Sequence, residues 1–426
     1  MNQNSFEQLN VDQVVFWEPE DGRVFENGVY ALDTETELLD AEQPQKIPRM
    51  VIAAVYNGEK AYFLITRTIA DFLQIHADLI VVMHNAAFDL AVINQEIAGN
   101  FDVYSPVEAG KVRDTQILHR LYDLATTGSG ELDGSSLEKS CRKHLGIEVE
   151  KDIKDESGQS VRKNFGPWLN RPSDLPPIYL EYLLGDVSAT YQLYLKFHSL
   201  YKQLWGSTIR DRPFGFIDES RLREAWEQHG SLTHHIQLKG AIVLDVVTRN
   251  GLPVDKDQLA VFRHELQEEQ KTILEGLLKY EYRPGKGSSK TLQNILEQEE
   301  RKNGICFLRT NTGKISTKAE HLEPYKESLP FIGLYLRFQK NEKRLGSFLD
   351  KMQKGVMHPT FDILKNTGRT SAFGDISSQN LPRDEKVRNL FVASPGHVLI
   401  SADFNGYFWQ NRCRRMGLKN ASFSKY

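Results

Sequence analysis

The four apolar residues Val29-Tyr30-Ala31-Leu32 run directly into Asp33-Thr34-Glu35. The apolar run is short and reads as a strand. Successive side chains of a strand alternate sides, so carboxylates at i and i+2 point to one face. Two acids crowded on one face repel each other, and a divalent cation between them relieves that repulsion. The stretch therefore sets a strand end that is either one wall of a metal site or a pair of solvated acids. The rest of the chain has to decide between the two.

The chain has 426 residues, and at about 150 residues per domain that suggests two or three domains. Hydrophobic residues make up 40% and charged residues 26%, enough apolar material for real cores. A net charge of -4 advertises no global basic field, which argues against tight nonspecific DNA binding but leaves room for a local basic groove. Cys141, Cys306 and Cys413 are far apart and form no CxxC, so neither a disulfide framework nor a zinc site follows from them. A cytoplasmic location fits this reducing pattern. The first 22 residues are polar and acidic, unlike a signal peptide, and no run of about 18 apolar residues exists to span a membrane.

From Gly28 the pattern alternates strand and helix. Met50–Tyr56 and Lys60–Ile65 flank Asn57-Gly58 and predict a hairpin. Thr68–Ile75 reads as a helix and Leu79–Met83 as a buried strand. His84-Asn85 leads into a helix carrying Phe88 and Asp89. The stretch Lys111–Tyr122 reads as a helix opened by Val112-Arg113-Asp114-Thr115, with Asp114 as its N-cap. Ser136–Leu145 is helical, and Lys151–Lys163 reads as an exposed, mobile loop. Ile178–Tyr201 is a long helix with Leu184, Val187, Tyr191 and Leu195 as a core-facing stripe. Tyr182 and Asp186 lie one turn apart on one face of it. Leu204–Phe216 carries Gly and Pro and reads as a domain boundary. Beyond it come helices at Ser220–Asn250, Asp257–Lys279 and Leu329–Lys354, with a Gly/Lys/Ser loop at Gly285–Lys290. Residues 356–404 turn to strands and turns, ending in a strand Val398–Ala402 followed by Asp403.

Three separated segments thus offer acids in apolar surroundings: Asp33 with Glu35, Asp89, and Asp186 with Tyr182. Four such carboxylates brought together suit two divalent metals about 4 Å apart, the arrangement for in-line phosphoryl displacement. Tyr182 suits holding or orienting the attacking water. For His84 the simpler role is a satisfied strand-end histidine.

The segments Asp33-Thr34-Glu35-Thr36, His84-Asn85-Ala86-Ala87-Phe88-Asp89 and Tyr182-Leu183-Leu184-Gly185-Asp186 resemble, in this order, the three motifs of the proofreading 3′–5′ exonuclease superfamily, tyrosine subclass. The resemblance implies an α/β ribonuclease-H-like domain, a mixed sheet with helices on both faces. It implies two-metal hydrolysis, with Mg or Mn, that releases nucleoside monophosphates from a 3′ end. It makes Asp33, Glu35, Asp89 and Asp186 metal ligands and Tyr182 the water-orienting hydroxyl. Leu39 matches a leucine that wedges against terminal bases, Asn85 a substrate-side asparagine, and Phe88 an aromatic position. Leu39 reads equally well as core.

The second half resembles the DNA polymerase I family (family A). Arg249-Asn250-Gly251-Leu252-Pro253-Val254-Asp255 resembles the opening of that family's thumb region, and Ser288–Gln293 its thumb-tip loop. Thr367-Gly368-Arg369-Thr370-Ser371 and Ser378-Gln379-Asn380-Leu381-Pro382 resemble its TGR and QN-P motifs. Val398–Phe404 resembles the approach to polymerase motif A, whose metal-binding aspartate would be Asp403. Lys290 and Arg369 suit phosphate contacts, and Gln379 and Asn380 suit template or primer edges; a solvated loop is the alternative for Lys290.

After Asp403 the resemblance stops. Asn405–Gln410 does not match, and the residues after Asp403 contain five Lys or Arg and no Asp or Glu. A second palm carboxylate and a fingers helix are not found, so the expectation is a vestigial Asp403 and no DNA synthesis. The expected organisation is an N-terminal segment 1–27, an exonuclease domain 28–205, a linker 206–230, a mostly helical thumb-like region 231–355, the start of an incomplete α+β palm 356–404, and an unmatched basic tail 405–426. The expected partners are single-stranded DNA 3′ ends and primer-template duplex. Two other readings stay open: a polymerase remnant that is inactive or only binds DNA, and an RNA 3′-end exonuclease, which shares the acidic motifs.

Overall fold

A computed structural model describes residues 11–26, 28–40, 43, 45–97, 99–211, 224, 231, 233–382 and 384–400. The chain divides into two compact units, residues 1–251 with 357–381, and residues 252–356 with 382–426.

The first unit is built on a six-stranded sheet of β1 (Val15–Phe16), β2 (Val29–Thr36), β3 (Met50–Tyr56), β4 (Ala61–Leu64), β5 (Ile80–Met83) and β6 (Val112–Asp114), in the order β1-β4-β3-β2-β5-β6. β2, β3 and β4 pair antiparallel, while β5 joins β2, and β6 joins β5, in parallel. The hairpin forms where Asn57-Gly58 predicts it. The Asn57 side chain accepts the N–H groups of Glu59 and Lys60 at 3.0 and 2.8 Å, and Gly58 takes φ 98°, which a side chain resists.

The two-residue period of β2 divides the core. Tyr30 and Leu32 face a cluster that includes Phe72 of α1 (Ile69–Ile75), Leu90 and Ile93 of α2 (Ala86–Ile97), and Leu118 of α4 (Thr115–Thr127). The short α3 (Ser105–Glu108) adds Val107 to it. Ala31 faces the other way, onto Tyr179, Leu183 and Val187 of α6 (Pro177–Asp211). α5 (Leu137–His144) completes the unit. Helices therefore cover both faces of a mixed sheet, the ribonuclease-H-like arrangement.

Several local expectations need correction. Val112-Arg113-Asp114 is a strand, not the first helical turn, because its backbone pairs with β5; Asp114 still caps α4, accepting the N–H groups of Gln116 and Ile117. Lys151–Lys163 is not a free loop. Asp155 anchors a tight turn by accepting from Ser157, Gln159 and Tyr179, and Val161 is fully buried. α6 continues to Asp211, beyond Tyr201 and through the start of the expected boundary. Its buried stripe shifts to Leu193, Phe197 and Tyr201, leaving Leu195 47% exposed.

Residues 357–381 pack in the first unit rather than with 252–356. They form a hairpin of Pro359–Asp362 with Ser371–Gly374, and Thr367-Gly368-Arg369 makes its turn, with Gly368 at φ 74°. Asp362 is buried against Arg120 of α4, whose guanidinium also donates to the Gly130 and Leu364 carbonyls.

The second unit is mainly helical. Helix Lys256–Leu278, capped by Asp255, packs against Pro330–Arg344 around Ile273, Leu277, Leu296, Phe331 and Tyr335. Ser288-Ser289-Lys290 begins a helix that runs to Asn303 instead of remaining in the loop. The expected helix Leu329–Lys354 is broken at Leu345–Leu349 by a wider π-type turn. Residues 398–400 carry no strand, contrary to expectation, and Val398, Leu399 and Ile400 are exposed. Asp403 and the tail 405–426 lie outside the described residues, as do most of 206–230 and residues 1–10. Among the described residues no helix is long and apolar enough to cross a membrane.

Candidate active site

β2 delivers the first two acids. Asp33 and Glu35 share the face of Ala31 and so look toward α6, while Thr34 turns to the opposite face. The face that β2 presents is thus decided by alternation, and the acids come at the strand end because apolar residues fill its buried middle. α6 brings Asp186 to the same place, one turn after Tyr182. Carboxylate oxygens of Asp33, Glu35 and Asp186 all lie within 4.8 Å of one another.

Asp89 enters from α2, on the other side of β2. Its Oδ1 accepts the Thr34 hydroxyl at 2.6 Å and the Thr34 N–H at 3.3 Å. Thr34 therefore uses the non-site side of the strand to hold the fourth acid beside the other three. Asp89 stands outside the three-oxygen group, yet its charge is felt there. Burial first, then the charges of Asp89, Asp186 and Glu35, push the Asp33 carboxyl well above its ordinary range. Glu35 is pushed up by burial and by Asp186. Burial raises Asp89 to about 7, with the two Thr34 hydrogen bonds opposing.

The cluster is acid in excess; Lys151 bonds to it directly, and the charge of Arg162 is also felt at Glu35. Lys151 Nζ donates to Asp186 Oδ2 and, at 3.2 Å, to the Tyr182 hydroxyl; it also lies 5.0 Å from the centre of the Tyr182 ring. Tyr182 is 4% exposed and its phenol is raised by burial, so it stays protonated. Sequence reasoning missed Lys151, because a lysine in a charged run carries no signal of burial. Thr34 was also missed; its place between two site acids on a strand was the only available hint.

The other expected residues separate into exposed and structural positions. Leu39 is 59% exposed, which rules out core packing for it. Asn85 is exposed at φ 71°, and its N–H donates to Asp114. Phe88 is half-buried against the core. His84 is satisfied by Thr115 and the Ser135 carbonyl, and burial lowers it to about 3, so it is a neutral structural residue. Arg369 is exposed at the hairpin turn, while Gln379 donates to Thr370 and Asn380 to Ser377. Lys290 is exposed in the second unit, on the first turn of the helix Ser288–Asn303.

The donors at the acidic site are all oxygen, buried and short of positive charge. That set fits a hard divalent cation such as Mg²⁺ or Mn²⁺. An acidic cluster of this kind, at the end of the central strand of a mixed sheet, defines a candidate centre for metal-assisted chemistry on a phosphate.

Comparison with known proteins makes the assignment specific. Residues 23–202 match the family model of the 3′–5′ exonuclease domain of DNA polymerase A. DNA polymerase I of Deinococcus radiodurans is 35% identical over 105 residues, 22% of this chain and 11% of that protein. The DNA polymerase of Escherichia phage T5 is 25% identical over 195 residues, 41% of this chain and 22% of the phage protein. The matched segments thus span about a fifth or less of these relatives. The polymerase domain of Pol1 from M. smegmatis, solved with DNA primer-template and dNTP, superposes with a TM-score of 0.59 at 14% identity, covering 90% of this chain and 59% of that one. Residues 23–202 of this chain therefore carry a 3′–5′ exonuclease domain of the DNA polymerase A type.

Proposed function

We propose that this chain is a 3′–5′ DNA exonuclease that uses two divalent ions, Mg²⁺ or Mn²⁺, and removes nucleoside monophosphates one at a time from 3′ ends. The observation that carries the reading is the convergence of Asp33, Glu35 and Asp186 oxygens within 4.8 Å, with Asp89 held beside them by Thr34. Asp33, Glu35, Asp89 and Asp186 would hold the ions, which when bound supply a nucleophile at neutral pH and neutralise charge on the phosphoryl oxygens. Tyr182 keeps its proton and presents an O–H beside Asp186, the position for orienting the attacking water. Lys151 holds Asp186 and Tyr182 in place while the acids are otherwise uncompensated. The exposed Leu39 and Asn85, with the half-buried Phe88, suit contact with the terminal nucleotides. Arg369, Gln379, Asn380 and Lys290 are assigned to DNA backbone and base-edge contacts, on the strength of the sequence motifs and their exposure.

The test is stepwise shortening of a 3′-overhang DNA oligonucleotide with Mg²⁺ or Mn²⁺, analysed for mononucleotide products. Loss of shortening with EDTA and in Asp33→Ala supports the proposal. Binding of DNA without shortening would assign the chain a binding role only, and a preference for RNA would change the substrate. Adding deoxynucleotides to the same assay checks the expectation, drawn from the mismatch after Asp403, that primers are not extended.

A further inference from the structure

A second group of ligand-type side chains lies on α4 and α5. His119 and Asp123 are four residues apart on α4, one turn along the same face. Ser140 and His144 have the same spacing on α5 and face them. One ligand atom each from His119, Asp123 and His144 lies within 4.8 Å of the other two. His119 Nε2 is 2.9 Å from Asp123 Oδ2, a hydrogen bond; a tetrahedral ion with bonds of about 2.0–2.2 Å needs ligand atoms about 3.3–3.6 Å apart, so the two side chains would part by about half an ångström to admit it. The other ring nitrogen of His119 is 2.8 Å from the Ser140 hydroxyl. That is the outer hydrogen bond that orients an imidazole ligand.

Two further facts separate this group from an ordinary hydrogen-bonded cluster. His144 Nε2 is enclosed and has no hydrogen-bond partner among the described residues, which is unfavourable for a buried polar atom. The positive charge that Asp123 now has comes from Lys143 Nζ at 2.6 Å, on a side chain that is 50% exposed. Lys143 reaches Asp123, which is only 13% exposed, from the solvent side, so Lys143 can swing into solvent once another cation answers the carboxylate.

We propose that His119, Asp123 and His144 form a metal site for a borderline divalent ion of the zinc type, separate from the oxygen-only site of β2 and α6. Two imidazoles and one carboxylate select such an ion over Mg²⁺, which prefers oxygen ligands. Three protein ligands leave a fourth position for water. The ion would clip α5 to α4 and steady the segment that follows α5, which carries Lys151. The assignment stands whether or not the chain degrades DNA.

The test uses the full chain with the acidic site disabled by Asp33→Asn and Asp186→Asn, stripped of metal and dialysed against Zn²⁺ in excess Mg²⁺. We expect about one retained zinc per chain, the stoichiometry of a single three-ligand site. It should be lost in His144→Ala and His119→Gln, with folding checked by circular dichroism. Co²⁺ substitution should give visible d–d bands that vanish with the same changes. Lys143→Ala alters only an exposed side chain and should tighten zinc binding several-fold by removing the competing charge. No zinc in the acid-disabled protein, or zinc that His144→Ala leaves in place, would overturn the proposal. Unchanged affinity in Lys143→Ala would do the same.

Discussion

Two buried sets of charges in the first unit are built on opposite principles. At the end of β2, three carboxylates crowd together with a fourth beside them, and Lys151 bonds to one of the three. Between α4 and the 359–374 hairpin, Arg120 and Asp362 satisfy each other. The guanidinium also donates to two carbonyls, and Asp362 also takes Lys365 and the Leu364 N–H. Burial pushes the Asp362 carboxyl up, but Lys365, Arg120 and the Leu364 N–H outweigh it and hold it below its ordinary value. The acids of β2 are pushed up instead. A charge set that closes on itself fixes structure. One left with excess charge is kept for something that arrives from outside.

The largest expected contrast is in activity. Asp186→Ala should lower the exonuclease rate by about 1,000-fold or more, given that bound ions supply several kcal/mol of transition-state stabilisation. Single-turnover assays on a 3′-labelled oligonucleotide measure it. The same change should leave the metal-free fold intact, since it removes a crowded acid. A rate within tenfold of the parent would dissolve the contrast. Next in size, Arg120→Ala should cost about 3–5 kcal/mol by leaving Asp362 buried and unpaired. Denaturant melting reads that loss, and Arg120→Met with Asp362→Leu should recover most of it. If Arg120→Ala is as stable as the parent, the pair is not what holds the hairpin.

Tyr182→Phe keeps the ring and removes the hydroxyl. It should slow hydrolysis by about 10–100-fold, the scale of a lost orienting hydrogen bond, with metal affinity unchanged. An equal loss in metal affinity would make Tyr182 a support for Asp186 rather than a water-orienting group.

The smallest effect is in pH dependence. Asp33, Glu35 and Asp89 have folded-state values above their unfolded ones, Asp89 at about 7. The folded state then binds more protons, so the metal-free protein should lose stability as pH rises from about 4 through about 7. Asp362 works in the other direction, stabilising above its unfolded value and losing that contribution as pH falls. Added Mg²⁺ should therefore raise the melting temperature more at pH 7.5 than at pH 5. Thermal melts at the two values decide it, and an equal shift would mean that the acids are not strained when empty.

The strand of the site was legible because alternation is a local rule: Ala31, Asp33 and Glu35 had to share a face. Tyr182 and Asp186 were legible for the same reason on a helix, and Asp114 because caps are written in adjacent residues. The strand Val112–Asp114 was not legible, since three residues carry no period and only pairing with β5 makes them a strand. Leu195 was assigned to the core by extending a stripe past the point where α6 changes its neighbours.

The sequence by itself determined that Asp33 and Glu35 share one face of a strand and Tyr182 and Asp186 one face of a helix, because each pair depends on a period of two or four residues. Only the tertiary structure decided that Thr34 holds Asp89, that Lys151 leaves its charged run to meet Asp186, and that Arg120 closes on Asp362, 242 residues away. Those choices depend on burial and on partners far along the chain. Charge has no period, so a lysine bound for a buried acid and one bound for solvent look the same until the fold brings the acid to it.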